Sequence, residues 1–214
     1  MAEKQGEPSP AAAGSPGNPL LLTDPRVMRA LAHPARMEIW QHIGLEGPVT
    51  ATECAEVVGL SPSACSYHLR TLARYGFVEE DAVPSADGRE RRWRAKISAI
   101  NVPAGTGTVA QRDAARLLTM SVHASAEELS ESYRDRQSEY PDDWQAALGT
   151  NYDLVHTTPE ELETLKQRLI ELFSEYRRLS PDERPPGTRR VLVTLGFIPW
   201  FPPPSPPSPD GEQP

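Results

Sequence analysis

A mainly helical α+β fold is predicted for this 214-residue chain by three observations. Helical apolar spacing runs with only short breaks from Asp24 to Gly76, two strand-like runs follow around an Asp87-Gly88 turn, and helical periodicity resumes at Thr108. The Pro-, Ala-, Gly- and Ser-rich flanks, residues 1–20 and 200–214, hold too little apolar surface to fold and are expected to be disordered tails. Two folded parts are expected between them, residues 21–100 and residues 108–199.

Asp24-Pro25 supplies the N-cap and first turn of a helix reaching about Ala32, and His33-Pro34 starts a second that turns Ile39, Trp40 and Ile43 inward. Thr50-Ala51-Thr52-Glu53 is a capping box that opens a short helix ending at Gly59. Ser61-Pro62 opens a fourth, which stops at Gly76. Residues 77–81 and 91–97 then read as the strands of a hairpin, with Trp93, Ala95 and Ile97 alternating with Arg92, Arg94 and Lys96. Four helices followed by a hairpin define a winged helix-turn-helix domain. Beyond it, a long helix is expected from Thr108 toward Leu129 and Tyr133, with Pro141 ending or interrupting it. A strand is expected over residues 151–156. A helix should open at the Thr158–Glu161 capping box and carry Leu162, Leu165, Leu169, Leu172, Phe173, Tyr176 and Leu179, and "RRVLVTLGFIP" should form a closing strand. This second part is therefore a helical and α+β extension, suited to dimerisation or to an effector.

The net charge of −8 argues against a nucleic-acid binder until it is divided along the chain. Residues 24–97 carry ten Lys+Arg against ten Asp+Glu, whereas residues 98–214 carry eleven against eighteen. The acidity belongs mainly to the C-terminal half, so the first domain can present a local basic surface. No run reaches the roughly 18 apolar residues of a membrane span, and two cysteines are too few for a disulfide framework. The expected compartment is the cytoplasm, with no membrane partner.

The helix opened by Ser61 carries the chemistry. At 3.6 residues per turn, Cys65, Leu69 and Leu72 share one stripe, and Ser63, Tyr67, Arg70 and Arg74 share the opposite one. The first stripe is core. The second combines hydroxyl and guanidinium groups, which read base edges in a major groove and hold the phosphates beside it. Small Ser63 and Ala64 permit close approach at a helix start whose N–H groups favour phosphate. In the hairpin, Arg89, Arg91 and Arg92 lie where an arginine enters a minor groove or meets the backbone, with Arg94 and Lys96 continuing the patch and Asp87 and Glu90 diluting it.

"RALAHPARMEIWQHI", then "TATECAEVVGLSPSACSYHLRTLARYGFVEE" and "GRERRWRA", resemble the ArsR-like winged helix-turn-helix transcriptional regulators of bacteria over residues 24–97. The Leu-Ala-His-Pro-x-Arg and Ser-x-His-Leu-x-x-Leu elements carry the likeness. It implies a homodimer on a pseudo-palindromic operator of double-stranded DNA, usually as a repressor. By position it places Ser63, Ala64, Ser66, Tyr67, His68 and Arg70 on or beside DNA, with Ser61 at the helix start and Arg89 and Arg91 in the wing. Many members of that family sense metals through paired cysteines before the recognition helix. Here Cys54 stands alone at an apolar position and Cys65 faces the core, so both are expected to pack rather than ligate.

Other patterns point elsewhere only weakly. "GTGTVA" at 105–110 has a dinucleotide-like spacing without the strand-turn-helix unit it requires. His33, His42, His68, His123 and His156 have no metal-ligand spacing, and Ser66 with His68 lacks a nucleophile elbow. Asp142, Asp143, Glu160, Glu161 and Glu163 sit at helix starts, where carboxylates suit the dipole. No cofactor is expected, and nothing assembles an enzyme's nucleophile, base and orienter. The alternative is a winged-helix platform that binds another protein through its acidic C-terminal half, and the proline-rich tail is a further docking candidate. Dimerisation is assigned to the first helix and the long helix after the wing. Residues 151–199 serve either as support or as a pocket for a small-molecule effector.

Overall fold

The computed structural model describes residues 19–83, 90–103, 105, 107–151, 153–177 and 184–199. The two expected tails, the Asp87-Gly88 turn and Arg89 lie outside the described residues, except for the short stretch entering the fold at Pro19. The chain begins with a two-residue strand, β1 (Leu20–Leu21), followed by helices α1 (Pro25–Leu31), α2 (Pro34–Glu46), α3 (Ala51–Val58) and α4 (Pro62–Arg74). Strands β2 (Val78–Glu80), β3 (Trp93–Ala95) and β4 (Ile100–Asn101) come next. Helices α5 (Val109–Arg136), α6 (Asp142–Ala147) and α7 (Pro159–Ser174) complete the order, with a single 3-10 turn at Gln137–Glu139 between the first two.

Local chemistry sets these boundaries. The Asp24 side chain accepts from the Arg26 N–H at 2.8 Å, and Pro25 occupies the first turn, where its missing donor costs nothing. At α3 the capping box closes in both directions: Glu53 N–H donates to Thr50 Oγ1 at 3.2 Å, and Thr50 N–H donates to the Glu53 carboxylate at 2.6 Å. Gly59, at φ 65°, ends that helix in the left-handed region. The α4 helix ends through the Phe77 N–H, which reaches back to the Leu72 carbonyl at 3.0 Å, and this reversal needs Gly76 at φ 79°.

The core lies inside α1 to α4 and the hairpin. Leu31, Ile39, Cys54, Cys65, Leu69, Leu72 and Phe77 have no exposed surface, and Val78 and Trp93 close the hairpin side. Trp40 packs edge-on against Phe77 and donates its indole N–H to the Ile97 carbonyl at 2.9 Å, tying α2 to the strand that leaves the wing. Hairpin strands β2 and β3 are antiparallel, with Glu79 opposite Arg94 and Glu80 opposite Trp93. Val49, just before α3, exchanges two backbone hydrogen bonds with Trp93, at 3.0 and 2.7 Å, so the sheet gains a third, single-residue edge.

Past the wing, β4 runs parallel to β1 and pairs Leu20 with Ile100. That pairing places the chain for α5, whose Thr108 and Gln111 form another capping box and whose Ala114, Ala115 and Leu118 bury against the core beside α1. Farther along, Ser125 donates to the Gln41 side chain at 2.8 Å. Pro141 does end the long helical run and becomes the N-cap of α6.

Three expectations are corrected. Residues 151–156 form no strand among those described, and residues 189–199 have no regular secondary structure instead of a closing strand. Both have strand composition, but a strand also needs an edge to pair with, and the described residues offer them none. The α7 helix has the expected capping box, at Thr158 and Glu161, but its apolar side is not core: Leu165, Leu172 and Tyr176 are exposed. Leu179 lies outside the described residues.

Because the buried stripe of α4 has no exposed surface, Leu72→Ala should lower unfolding stability by about 2–5 kcal/mol in urea titration. A loss below about 1 kcal/mol would mean that the site collapses around the smaller side chain.

Candidate nucleic-acid interface

The α4 helix presents the two faces its sequence predicts. Cys65, Leu69 and Leu72 are buried, whereas Ser63, Tyr67, Arg70 and Arg74 are exposed, Tyr67 to 64 %. Ser61 caps the helix by accepting from the Ala64 N–H at 3.2 Å, and its hydroxyl lies 3.0 Å from that of Ser63. Ala64 and Ser66 are half-buried, and Ser66 lies on the flank that faces the wing. Among the described residues, Arg70 and Arg74 have no carboxylate partner within ion-pair distance, so both guanidinium groups stand available to an external anion.

His68 is the exception. It is only 9 % exposed and does not share the outer stripe. Its ring sits 4.9 Å from that of His33 and 5.6 Å from that of Tyr67, and its Nδ1 is buried without a hydrogen-bond partner. The spacing already pointed inward, since His68 is three residues after Cys65 and four before Leu72. His68 therefore packs beneath Tyr67 instead of lying on the surface. Burial first, then His33 and the Arg36 guanidinium, hold its imidazole below the ordinary pKa. His33 is lowered in the same direction, by burial and then by Arg36.

The wing places its cations differently. The Arg91 guanidinium pairs with Glu80 at 2.5 Å and Arg94 pairs with Glu79 at 2.6 Å, while Arg92 turns back to donate to the Pro48 carbonyl. Arg92 is thus fastened to the start of α3, which removes it from the outward patch. Arg89 lies outside the described residues. Between α3, α4 and the wing runs an open cleft of about 280 Å³, lined among others by Thr52, Ser66, Arg70, Glu90, Arg91 and Trp93. Thr52 donates to Glu90 at 2.8 Å across its mouth, connecting α3 to the wing. The part played by Glu79, Glu80 and Glu90 was not legible beforehand, because it depends on cross-strand register and on the approach of α3.

Cys54 and Cys65 are both buried thiols, and burial pushes Cys54 up to about 12 and raises Cys65 as well. A thiol that resists deprotonation is a poor soft-metal ligand, consistent with packing at both positions. Among the described residues no group of three or more His, Cys, Asp or Glu could hold a metal ion, and no helix is long and apolar enough to cross a membrane.

This geometry, a half-buried helix beside a two-stranded wing on a helical core, defines a winged helix-turn-helix domain. Residues 31–81 match the helix-turn-helix domain family, and part of the chain is similar to a bacterial repressor. That relative, a probable mercury resistance operon repressor of Streptomyces lividans, is 38 % identical over 71 residues, which are 33 % of this chain and 53 % of the relative. The chain thus spans about half the length of the curated relative it matches. Among solved structures, the chain is similar to the homodimeric winged helix-turn-helix DNA-binding domain of a possible ArsR-family regulator of Mycobacterium bovis. That likeness has 25 % identity, covers 48 % of this chain and 77 % of the other, and has a TM-score of 0.30. It is also similar to ZitR of Lactococcus lactis in complex with DNA, at 16 % identity over 70 % of this chain and 75 % of that one, with a TM-score of 0.25. At these scores the overlays do not extend beyond a local likeness.

The lowered histidines give the domain a pH dependence with a definite sign. A folded-state imidazole pKa below the unfolded value makes the unfolded chain bind more protons, so stability is full above about 6.5 and falls as the pH drops from there toward the folded value. The thermal midpoint should therefore decline between about pH 7 and pH 5.5, and the decline should be shallower in a His33→Gln/His68→Gln double variant. An unchanged slope in that variant would locate the proton uptake elsewhere.

Proposed function

We propose that the protein is a sequence-specific DNA-binding transcriptional regulator, acting as a homodimeric repressor. The observation that carries this reading is the outer stripe of α4: hydroxyls at Ser63 and Tyr67 and two guanidinium groups, Arg70 and Arg74, with no ion-pair partner among the described residues, on a helix held in place by a fully buried opposite side. Such a stripe fits a major groove, with Ser61, Ser63, Ala64 and Ser66 near the helix start permitting close approach and Tyr67 and Arg70 reaching base edges. Arg74 serves phosphate. The wing, residues 87–94, meets the minor groove or backbone through Arg91 and, by its place in the sequence, Arg89. His68 supports Tyr67 from beneath, and Arg92 braces the wing.

Two copies joined through α1 and α5 would present two such helices to the half-sites of one operator. Support for that interface comes from Leu117 and Met120, which leave apolar surface on α5 at 52 % and 57 % exposure beside the turn that packs on α1. The likeness of residues 31–81 to a helix-turn-helix family, and of one third of the chain to a repressor, supports repression as the output. A second reading, a module that binds another protein through its acidic half, is favoured by the exposed apolar side of α7 and by Val191, Leu192, Val193 and Leu195, all close to half exposed or more.

Selection of duplexes from a random pool by the purified chain should return a pseudo-palindromic site. If a dimer neutralises six to eight phosphates, log K on that site should fall with log salt at a slope of about −5 to −7. Recovery of no enriched sequence, together with a flat salt dependence, would remove the DNA reading in favour of the protein-binding one. Arg70→Ala should weaken the selected site by about 1–3 kcal/mol and relax its preference at one base pair. Equal loss on selected and random duplexes would assign Arg70 to phosphate instead.

A further inference from the structure

The cations on the two DNA-facing elements fall into two electrostatic classes. On α4, Arg70 and Arg74 have no carboxylate within ion-pair distance among the described residues. On the wing, every outward cation of the described strand has one. Arg91 Nη1 lies 2.5 Å from Glu80 Oε1, Arg94 Nη2 lies 2.6 Å from Glu79 Oε1, and Lys96 Nζ lies 3.7 Å from Glu79 Oε2. Register produces this arrangement: Glu79 stands directly across from Arg94 with Lys96 on the diagonal, and Glu80, across from Trp93, reaches diagonally to Arg91.

These pairs contribute little to the fold. The side chains of Arg91 and Glu80 are 71 % and 52 % exposed, and those of Arg94 and Glu79 are 54 % and 36 % exposed. Exposed pairs of this kind add little to stability, so stability does not explain why two adjacent carboxylates pair with three cations. Their larger effect is on what approaches from outside. A duplex phosphate that binds Arg91 must displace Glu80 or lie beside it, and either alternative weakens the contact. The penalty weighs most on arbitrary duplex, whose binding rests on phosphate contacts, the wing's included. On a matched site the base contacts of α4 offset it, whereas on arbitrary DNA nothing does.

Building on the regulator reading above, we propose that Glu79 and Glu80 are specificity-determining residues. They are built-in carboxylate ligands of the wing's cations that compete with the phosphodiester backbone, weaken binding to arbitrary duplex, and leave discrimination to α4. Specificity is a difference between affinities, and lowering the weaker one widens it as effectively as raising the stronger.

The test uses the full chain, a selected duplex and a random-sequence duplex of equal length, with binding followed by fluorescence anisotropy across a salt series. Glu80→Gln keeps the shape and removes the charge. It should bind the random duplex about three- to tenfold tighter at low salt, steepen its salt slope by about 1 for each chain, and lower the ratio of selected to random affinity. Its thermal midpoint should match that of the unaltered chain. The gain should disappear when Glu80→Gln is introduced into an Arg91→Gln background, which separates release of Arg91 from the general effect of a lost negative charge. Unchanged affinity and slope on the random duplex, or a gain that persists without Arg91, would overturn the inference. If Glu80→Gln melts early, Glu79→Gln, read through Arg94, provides the same comparison with the same two outcomes. An unaltered chain that binds no duplex would overturn the regulator reading together with this inference, whereas normal binding with an indifferent variant overturns this inference alone.

Discussion

The burial of Cys65, Leu69 and Leu72 is the constraint on which the rest of the domain depends. These side chains enter a core built from α1, α2, α3 and Phe77, and their complete loss of exposure fixes the rotation of α4 about its axis. Once that rotation is set, the opposite stripe has only one direction to face. The caps at Ser61 and Tyr75, with the left-handed Gly76 after them, fix where the helix starts and stops, and the Phe77 to Leu72 hydrogen bond passes the chain directly into β2. The wing therefore inherits its position from the same core, and the bridge from Val49 to Trp93 holds it against the start of α3. A helix that carries recognition chemistry on one side is useful only if it cannot roll, and here close packing prevents rolling.

Charge is distributed along the same lines. The chain as a whole is acidic, yet residues 24–97 are balanced, and the balance is local as well as global. Among the described residues the arginines on α4 have no ion-pair partner, while Arg91 and Arg94 of the wing face carboxylates from β2. Such a surface keeps a moderate field overall and concentrates its free positive charge where shape also permits close contact. Arg92 shows the other use of a cation. Its guanidinium satisfies the Pro48 carbonyl at a turn and so belongs to the architecture.

The C-terminal extension follows a different logic. After α5, which buries Ala114, Ala115 and Leu118 in the core, Arg190 lies against α2 at Gly44, where an added Cβ would approach its guanidinium to 3.0 Å, and burial lowers its pKa. Nearby, Arg189 stacks over the rings of Tyr140 and Trp144 at 5.8 and 5.7 Å. These polar and aromatic contacts position the extended segment without burying Val191, Leu192 or Val193. The apolar surface of α7 likewise remains outside the core, so this helix contributes little hydrophobic stabilisation.

What the sequence by itself determined is local: the starts and ends of α1 to α4, the capping boxes of α3 and α7, and the two stripes of α4. Each of these depends on residues within about one turn of one another, whose chemistry is legible in order along the chain. Only the tertiary structure decided the parallel pairing of Leu20 with Ile100, the inward turn of His68 onto His33, the ion pairs of Glu79 and Glu80, and the absence of a strand among the described residues of 151–156 and 189–199. Those features join or fail to join segments far apart in sequence. A two-residue strand has no periodicity to announce it, and a run of β-branched residues becomes a strand only where another backbone offers its edge.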